Sequence, residues 1–227
     1  MSFTNSGTSY VNREITELLQ NSASIIDQIL ILPGCVSTNL QINLDETNFF
    51  CEMWVNLASS AGSQHLVYVT DANNPGTGDD WSVRVEAGTQ FFQFYVYTPD
   101  NIQHSVYSVA YAPVNTWTYV AISLQYSVMH LVVNGILQGE YVLETTPRFT
   151  PTSTIFIGTS ASVLDWIPTQ AQFKDIRIFQ GGVTPTGSFT PAQAPFGPDP
   201  PPYVTGSTEI FNLGRQYMQV AVMDQSI

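Results

Sequence analysis

Phe49-Phe50-Cys51-Glu52-Met53-Trp54-Val55-Asn56-Leu57 alternates in character with a period of two. Phe50, Glu52, Trp54 and Asn56 fall on one side of an extended chain. Cys51, Met53, Val55 and Leu57 fall on the other. A strand with one wholly apolar side needs a second layer to cover it. The surrounding sequence repeats the pattern in short runs: Asn39–Leu44, Leu66–Thr70, Trp81–Glu86, Phe91–Thr98, Ser105–Ala110, Thr118–Leu124, Val128–Val133, Ile155–Gly158 and Phe173–Phe179. Ala87-Gly88-Thr89 joins two of them as a hairpin. Asn134-Gly135 sits between Leu131-Val132-Val133 and Ile136-Leu137, where both central positions of a type I′ turn require positive φ. Many short strands separated by turn residues indicate an all-β sandwich or barrel.

The ends read differently. Residues 1–12 are rich in Ser, Thr and Asn and read as irregular chain or a single edge strand. Asn12 can cap a short helix that carries Glu14 and Glu17 in its first turns and Ile15, Leu18 and Leu19 on one face, ending near Asn21. Ile29 to Leu32 reads as a strand stopped by Pro33-Gly34. Val183 to Tyr203 holds seven prolines and cannot join a central sheet, since proline brings no ladder donor. It is expected to run extended over the surface. Glu209 to Met223 is apolar enough to pair as a strand or dock on a neighbour. The expected organisation is an N-terminal arm with a short helix (1–27), a sandwich (28–196) and a Pro-rich linker with C-terminal arm (197–227).

The 227 residues carry 18 acids against 6 bases, a net charge of −12. Too few cations are present to replace phosphate counterions, which argues against nucleic acid and against an anionic membrane surface. No apolar run approaches the ~20 residues of a spanning helix. The N-terminus shows no basic and apolar signal pattern. Cys35 and Cys51 form one bridge at most, or sit as small buried hydrophobes.

Five segments in order resemble the laminin-G-like, concanavalin A-type jelly-roll family. They are Phe49–Val55, Asn115-Thr116-Trp117-Thr118-Tyr119-Val120-Ala121, Met129-His130-Leu131-Val132-Val133-Asn134-Gly135, Ile155-Phe156-Ile157-Gly158 and Phe173-Lys174-Asp175-Ile176-Arg177-Ile178-Phe179. Gly181-Gly182-Val183 followed by Phe189-Thr190-Pro191-Ala192-Gln193-Ala194-Pro195-Phe196 resembles the ending of such domains on particles of phages and large DNA viruses. The resemblance implies a concanavalin A-like β-sandwich in a non-enzymatic structural protein: a minor capsid, cement or fibre component of a virus particle, made in the host cytoplasm. Its partners would be other virion or capsid proteins, or itself. The alternative is a glycan-binding, lectin-like module of a tail fibre or adhesin.

Candidate contact residues follow from alternation. Phe91, Gln93, Tyr95 and Tyr97 share one face while Phe92, Phe94 and Val96 fill the core. The first face is expected to hold sugar, meet another protein, or lie under the N-terminal segment. Trp81 and Trp166, both beside acidic turns, are further contact candidates. Trp54 and Trp117 are expected in the core. No cofactor is expected. Should calcium bind, as in some relatives, Asp71, Asp79, Asp80 and Asp165 are the loop candidates and Asp175 the strand one. Catalysis is not expected. The Glu-x-Asp-x-Glu strand of glycosidases on this fold is missing, and Glu46 and Glu52 lie about 20 Å apart on an extended chain. His65, His104 and His130 are isolated in sequence, and His130 reads as a satisfied sheet residue rather than a base.

Overall fold

A computed structural model describes residues 2–5, 8–11, 19–20, 24–26, 29–31, 35–37, 48–71, 79–149, 153–158, 170–181, 185–193 and 208–212. Every regular element among them is a strand: β1 (Ser2–Asn5), β2 (Thr8–Val11), β3 (Leu19–Gln20), β4 (Ser24–Ile26), β5 (Ile29–Ile31), β6 (Cys35–Ser37), β7 (Asn48–Leu57), β8 (Gln64–Asp71), β9 (Asp79–Val85), β10 (Phe91–Tyr97), β11 (Gln103–Tyr111), β12 (Trp117–Gln125), β13 (Val128–Val133), β14 (Ile136–Val142), β15 (Ser153–Ile157), β16 (Ala171–Gln180) and β17 (Thr208–Asn212). One sheet runs β11-β10-β9-β8-β15-β6-β3. The other runs β14-β13-β12-β7-β16-β5-β4, with β17 added to β16. All the pairings between these strands are antiparallel.

The alternation read in the sequence builds the core. Phe49, Cys51, Met53, Val55 and Leu57 of β7 meet Val120, Ile122 and Leu124 of β12 and Phe173, Ile176 and Ile178 of β16 on the inner face. From the opposite sheet come Val67, Val69, Val83, Val85, Phe92, Phe94, Val96, Ile155 and Ile157. Phe49 anchors the centre, stacked on Trp81 at 4.8 Å between centroids and edge-on to Phe94 at 6.1 Å. Such aromatic pairs add about 0.5–1.5 kcal/mol beyond area burial. Cys51 is a buried free thiol in this layer, and burial beside Glu52 raises its pKa.

A bulge in β16 sets the phase of its outer half. Phe173 pairs with Val55 and Asp175 with Trp54, so Lys174 is surplus to the ladder. Beyond it Ile176 and Ile178 point inward and Asp175, Arg177 and Phe179 outward. Lys174 instead lies over the Trp117 ring, its Nζ 4.3 Å from the centroid.

The outer face of the β12-containing sheet is covered by the chain itself. Phe50, Tyr119, Ala121, Val132 and Phe179 form a second apolar cluster under Phe189 and Ala192. Residues 185–193 cross this face and bond to it along their length. Ser123 Oγ donates to Pro185 O at 3.0 Å and Leu137 N to Ser188 Oγ at 3.0 Å. Phe189 N donates to Gly135 O at 2.8 Å, and Trp54 Nε1 to Ala192 O at 2.9 Å. The segment is the surface-running, proline-bearing chain that the sequence implied, and its resting place is its own sandwich.

Several expectations are corrected. Residues 1–12 do not form a lone edge strand, because β1 and β2 pair with each other. Leu19–Gln20, assigned to the end of a helix, pair with β6 as β3; residues 12–18 lie outside the described residues, as do 39–44. Of the C-terminal stretch read as able to pair as a strand, Glu209–Asn212 does so within β17, which pairs with Arg177–Gln180. Trp54 and Trp117 are half-buried on the outer side rather than in the inter-sheet core. The hairpin at Asn134-Gly135 forms as read, with φ of 51° and 79°.

Candidate functional site

The outer face of β9, β10 and β11 gathers the aromatic and amide side chains. The β10–β11 register places Phe91 opposite Tyr111, Gln93 opposite Tyr107, Tyr95 opposite Ser105 and Tyr97 opposite Gln103. The β9–β10 register adds Arg84 beside Gln93 and Ser82 beside Tyr95. All stand on the pleat opposite Phe92, Phe94 and Val96.

One hydrogen-bond network ties this face together. Arg84 Nε donates to Gln93 Oε1 at 2.6 Å. Gln93 Nε2 donates to Ser105 Oγ at 2.9 Å and to Tyr107 Oη at 2.7 Å. Gln103 Nε2 donates to Ser105 Oγ at 3.0 Å, and Tyr97 Oη donates to Gln103 Oε1 at 3.1 Å. Gln93 is only 1% exposed, so its satisfied amide holds the surrounding side chains in fixed positions.

The rings are ordered with it. Tyr95 is buried under the Arg84 guanidinium, 4.9 Å from the ring centroid, and meets Tyr97 edge-on at 5.7 Å. The Arg148 guanidinium lies 5.6 Å from the Tyr97 centroid. Its Nη1 donates to Asn101 Oδ1 at 2.6 Å, and its Nε lies 3.8 Å from Asp80. At the far end Phe91 and Tyr111 pack at 5.0 Å, with Tyr111 70% exposed. Two of the chain's six bases thus stack on tyrosines of one face.

His65 borders the network opposite Arg84 in the β8–β9 register. Ser82 Oγ donates its one proton to Val67 O at 2.7 Å, so the 3.0 Å contact to His65 Nδ1 requires Nδ1–H on the imidazole. Burial, and secondarily the Arg84 charge, lowers the His65 pKa to about 3. A free histidine titrates near 6.5, so between about pH 6.5 and 3 the unfolded chain binds a proton that the folded one refuses. Stability from this group is complete above about 6.5 and is lost as the pH falls through that window. The expected result in a proton NMR titration is a flat His65 ring signal from pH 8 to about 4.5. A midpoint near 6.5 would show the ring to be solvated.

The sequence-derived contact residues divide. Phe91, Tyr95 and Tyr97 lie together on this face, with Tyr95 buried and the other two half-buried. Trp81 is a correction: it is fully buried, because it shares the inward pleat with Val83 and Val85, and its ring stacks on Phe49. Trp166 lies outside the described residues. Arg84, Ser105, Gln103, Tyr107 and Tyr111 were not anticipated. Alternation along β9 and β11 would have found them once both hairpin registers were written out.

The acidic candidates do not converge as a set. Asp175 belongs to β16 in one sheet, whereas Asp71, Asp79 and Asp80 belong to β8 and β9 in the other. Asp80 is buried, accepts the Ser153 hydroxyl and faces Arg148. Among the described residues no three His, Cys, Asp or Glu side chains come together to hold a metal ion. Asp165 and residues 72–78 lie outside the described set. Among the described residues no helix is long and apolar enough to cross a membrane.

Glu52 occupies a structural position. It is fully buried, bonded to Arg177 Nε and to the Tyr119 hydroxyl. His130 Nδ1 lies 3.3 Å from Ser123 Oγ, whose proton goes to Pro185 O. Burial lowers its pKa, and Glu140 opposes that shift.

Comparison with solved structures finds this fold in toxin domains. A botulinum neurotoxin serotype D binding domain superposes with a TM-score of 0.55 at 14% identity, covering 73% of this chain and 43% of that one. The serotype D ligand binding domain in complex with N-acetylneuraminic acid gives 0.54 at 14%, covering 71% and 42%. The receptor binding domain of the mosaic serotype C/D gives 0.52 at 16%, covering 76% and 42%. This chain spans less than half the length of each, and at such identity the likeness is one of fold. Comparison with curated protein sequences finds no match. A family model described as the concanavalin A-like lectin/glucanases superfamily matches residues 34–186. With that match over most of a sandwich of this topology, the chain belongs to the concanavalin A-like lectin/glucanase superfamily.

Proposed function

We propose that this protein is a non-enzymatic binding module whose working surface is the outer face of β9–β11, and that the ligand held there is carbohydrate. The observation that carries the reading is the Gln93-centred network flanked by tyrosine rings. Sugars present apolar ring faces beside hydroxyls, and a surface that alternates aromatic planes with fixed amide and hydroxyl groups matches both. None of the face residues Arg84, Phe91, Gln93, Tyr95, Tyr97, Gln103, Ser105, Tyr107 and Tyr111 is an acid, which suits binding rather than glycoside hydrolysis. The superfamily includes lectins by description, and a fold neighbour was crystallised with N-acetylneuraminic acid.

A second reading, as a structural component of a virus particle, is favoured by a different surface. Val109, Ile136 and Val142 are each more than 60% exposed on the facing edge strands β11 and β14. Those strands are tied by Val109 N donating to Gln138 Oε1 at 3.1 Å. Exposed apolar edges of this kind suit burial against a coat protein or a second copy of the chain.

A glycan array probed with the full chain tests the first reading. Binding is expected, and Tyr111→Ala, which removes an exposed ring without opening the core, should weaken it up to about tenfold. Silence across the array, with the protein retained on purified particles, would overturn the carbohydrate reading in favour of the particle one.

A further inference from the structure

We propose that the β9–β11 face selects an acidic sugar, taking its carboxylate between the Arg84 guanidinium and the hydroxyls of Ser105 and Tyr107; this rests on the carbohydrate reading above.

The direction of each hydrogen bond carries the argument. Gln93 Oε1 is occupied by Arg84 Nε, and Gln103 Oε1 by the Tyr97 hydroxyl. Both side-chain amide oxygens of the face are therefore engaged within it. Ser105 Oγ accepts from Gln93 and from Gln103, so its own proton is directed elsewhere. Tyr107 Oη accepts from Gln93, which leaves its O–H to donate outward from a side chain 42% exposed. Arg84 uses Nε on Gln93 and keeps the paired terminal N–H groups of its fork. The groups of the face whose N–H and O–H are left for a ligand are thus Arg84, Ser105 and Tyr107, while each amide oxygen already carries one bond. A neutral sugar hydroxyl gives and takes hydrogen bonds, whereas a carboxylate only takes them.

Charge points the same way. Among the described residues Arg177 pairs with Glu52, Arg148 faces Asp80, and Arg84 has no carboxylate in ion-pair contact. Glu86, on the same strand side, turns its carboxylate to the Thr89 backbone N–H at 2.7 Å. In a chain of charge −12, Arg84 is held over Tyr95 with the Glu86 charge near enough to be felt but not in ion-pair contact. A guanidinium fork receives a planar carboxylate through two parallel bonds. The exposed Tyr111 ring, packed on Phe91, stands beyond Tyr107 to meet the sugar ring.

The test is an array of neutral, carboxylated and sulfated glycans probed with the full chain. Titration calorimetry follows with the strongest acidic binder and its methyl ester. Binding confined to carboxylated glycans is expected. The methyl ester should bind about ten- to hundred-fold more weakly, and Arg84→Gln should lose a similar factor. Tyr107→Phe, which removes one hydroxyl donor, should weaken the acid more than its ester, whose uncharged carbonyl is the weaker acceptor. Because Arg84→Gln frees Gln93 Oε1 and Tyr107→Phe removes one of the two acceptors of Gln93 Nε2, the thermal midpoint of each is compared with the parent, and the ratio of acid to ester affinity decides the matter should either fold suffer. Neutral glycans bound as tightly as acidic ones, with Arg84→Gln unaffected, would overturn the carboxylate site and leave the carbohydrate reading standing. Binding of sulfated glycans alone would also overturn it. No glycan binding at all would overturn both.

Discussion

Arg177→Met lowers the unfolding free energy by about 3–5 kcal/mol, read from the midpoint of a guanidinium titration. Arg177 is 1% exposed and donates Nε to Glu52, which is itself fully buried. The second carboxylate oxygen of Glu52 takes the Tyr119 hydroxyl, and the guanidinium lies 5.3 Å from the Phe179 ring centroid. The group sits beside the apolar cluster of Phe50, Tyr119 and Phe179, under the chain at 189–192. Removing the cation strands a carboxylate in a low dielectric, and that cost exceeds the net worth of the pair. The double variant Glu52→Leu with Arg177→Met removes both charges and should recover most of the loss. A single-variant cost below about 1 kcal/mol would show that water reaches the pair.

Gly135→Ala should be nearly as damaging, and for backbone reasons. A Cβ at this position would stand 2.1 Å from Phe189 O and 2.8 Å from Pro191 Cδ, and the residue has φ of +79°. A left-handed conformation costs an alanine about 1–2 kcal/mol on its own. The clash with a backbone oxygen has no rotamer remedy, so the 185–193 segment must lift. Lifting it uncovers the half-buried Phe189, worth roughly 1–2 kcal/mol, and breaks the Trp54 bond to Ala192 O, worth about 0.5–1.5 kcal/mol. The combined loss is about 3–5 kcal/mol. Trp54 fluorescence, read by difference against Trp54→Phe, should shift to the red as the indole becomes wet. An unshifted spectrum with a small stability loss would mean that the turn, not the segment, absorbs the change.

Much of this fold was readable because alternation survives in single strands. Phe49–Leu57 declares its two faces outright, and Asn134-Gly135 declares its turn. The Phe91–Tyr97 face was legible for the same reason, down to which side chains fill the core. What remained hidden needed contacts between distant positions. Glu52 meets residues 67 and 125 places away, and nothing local names them. Gln93 meets Tyr107 directly opposite it in the β10–β11 register, a pairing that is fixed only once the hairpin's turn is placed. Trp81 was misjudged because the neighbouring acids suggested a surface, while its pleat neighbours Val83 and Val85 were the better guide. The fold-back of 185–193 onto the sheet was legible as extended chain but not as a cover, since proline content excludes a ladder without naming a destination.

The surplus position in β16 gives this strand a tolerance that its neighbours lack. Val55 and Trp54 are already matched to Phe173 and Asp175, so excising Lys174 would leave every inward side chain where it stands. A one-residue excision inside β7 or β12 would turn half a strand inside out. Among relatives, a length difference at this point is therefore silent for the interior, whereas the same difference one strand away would rewrite it.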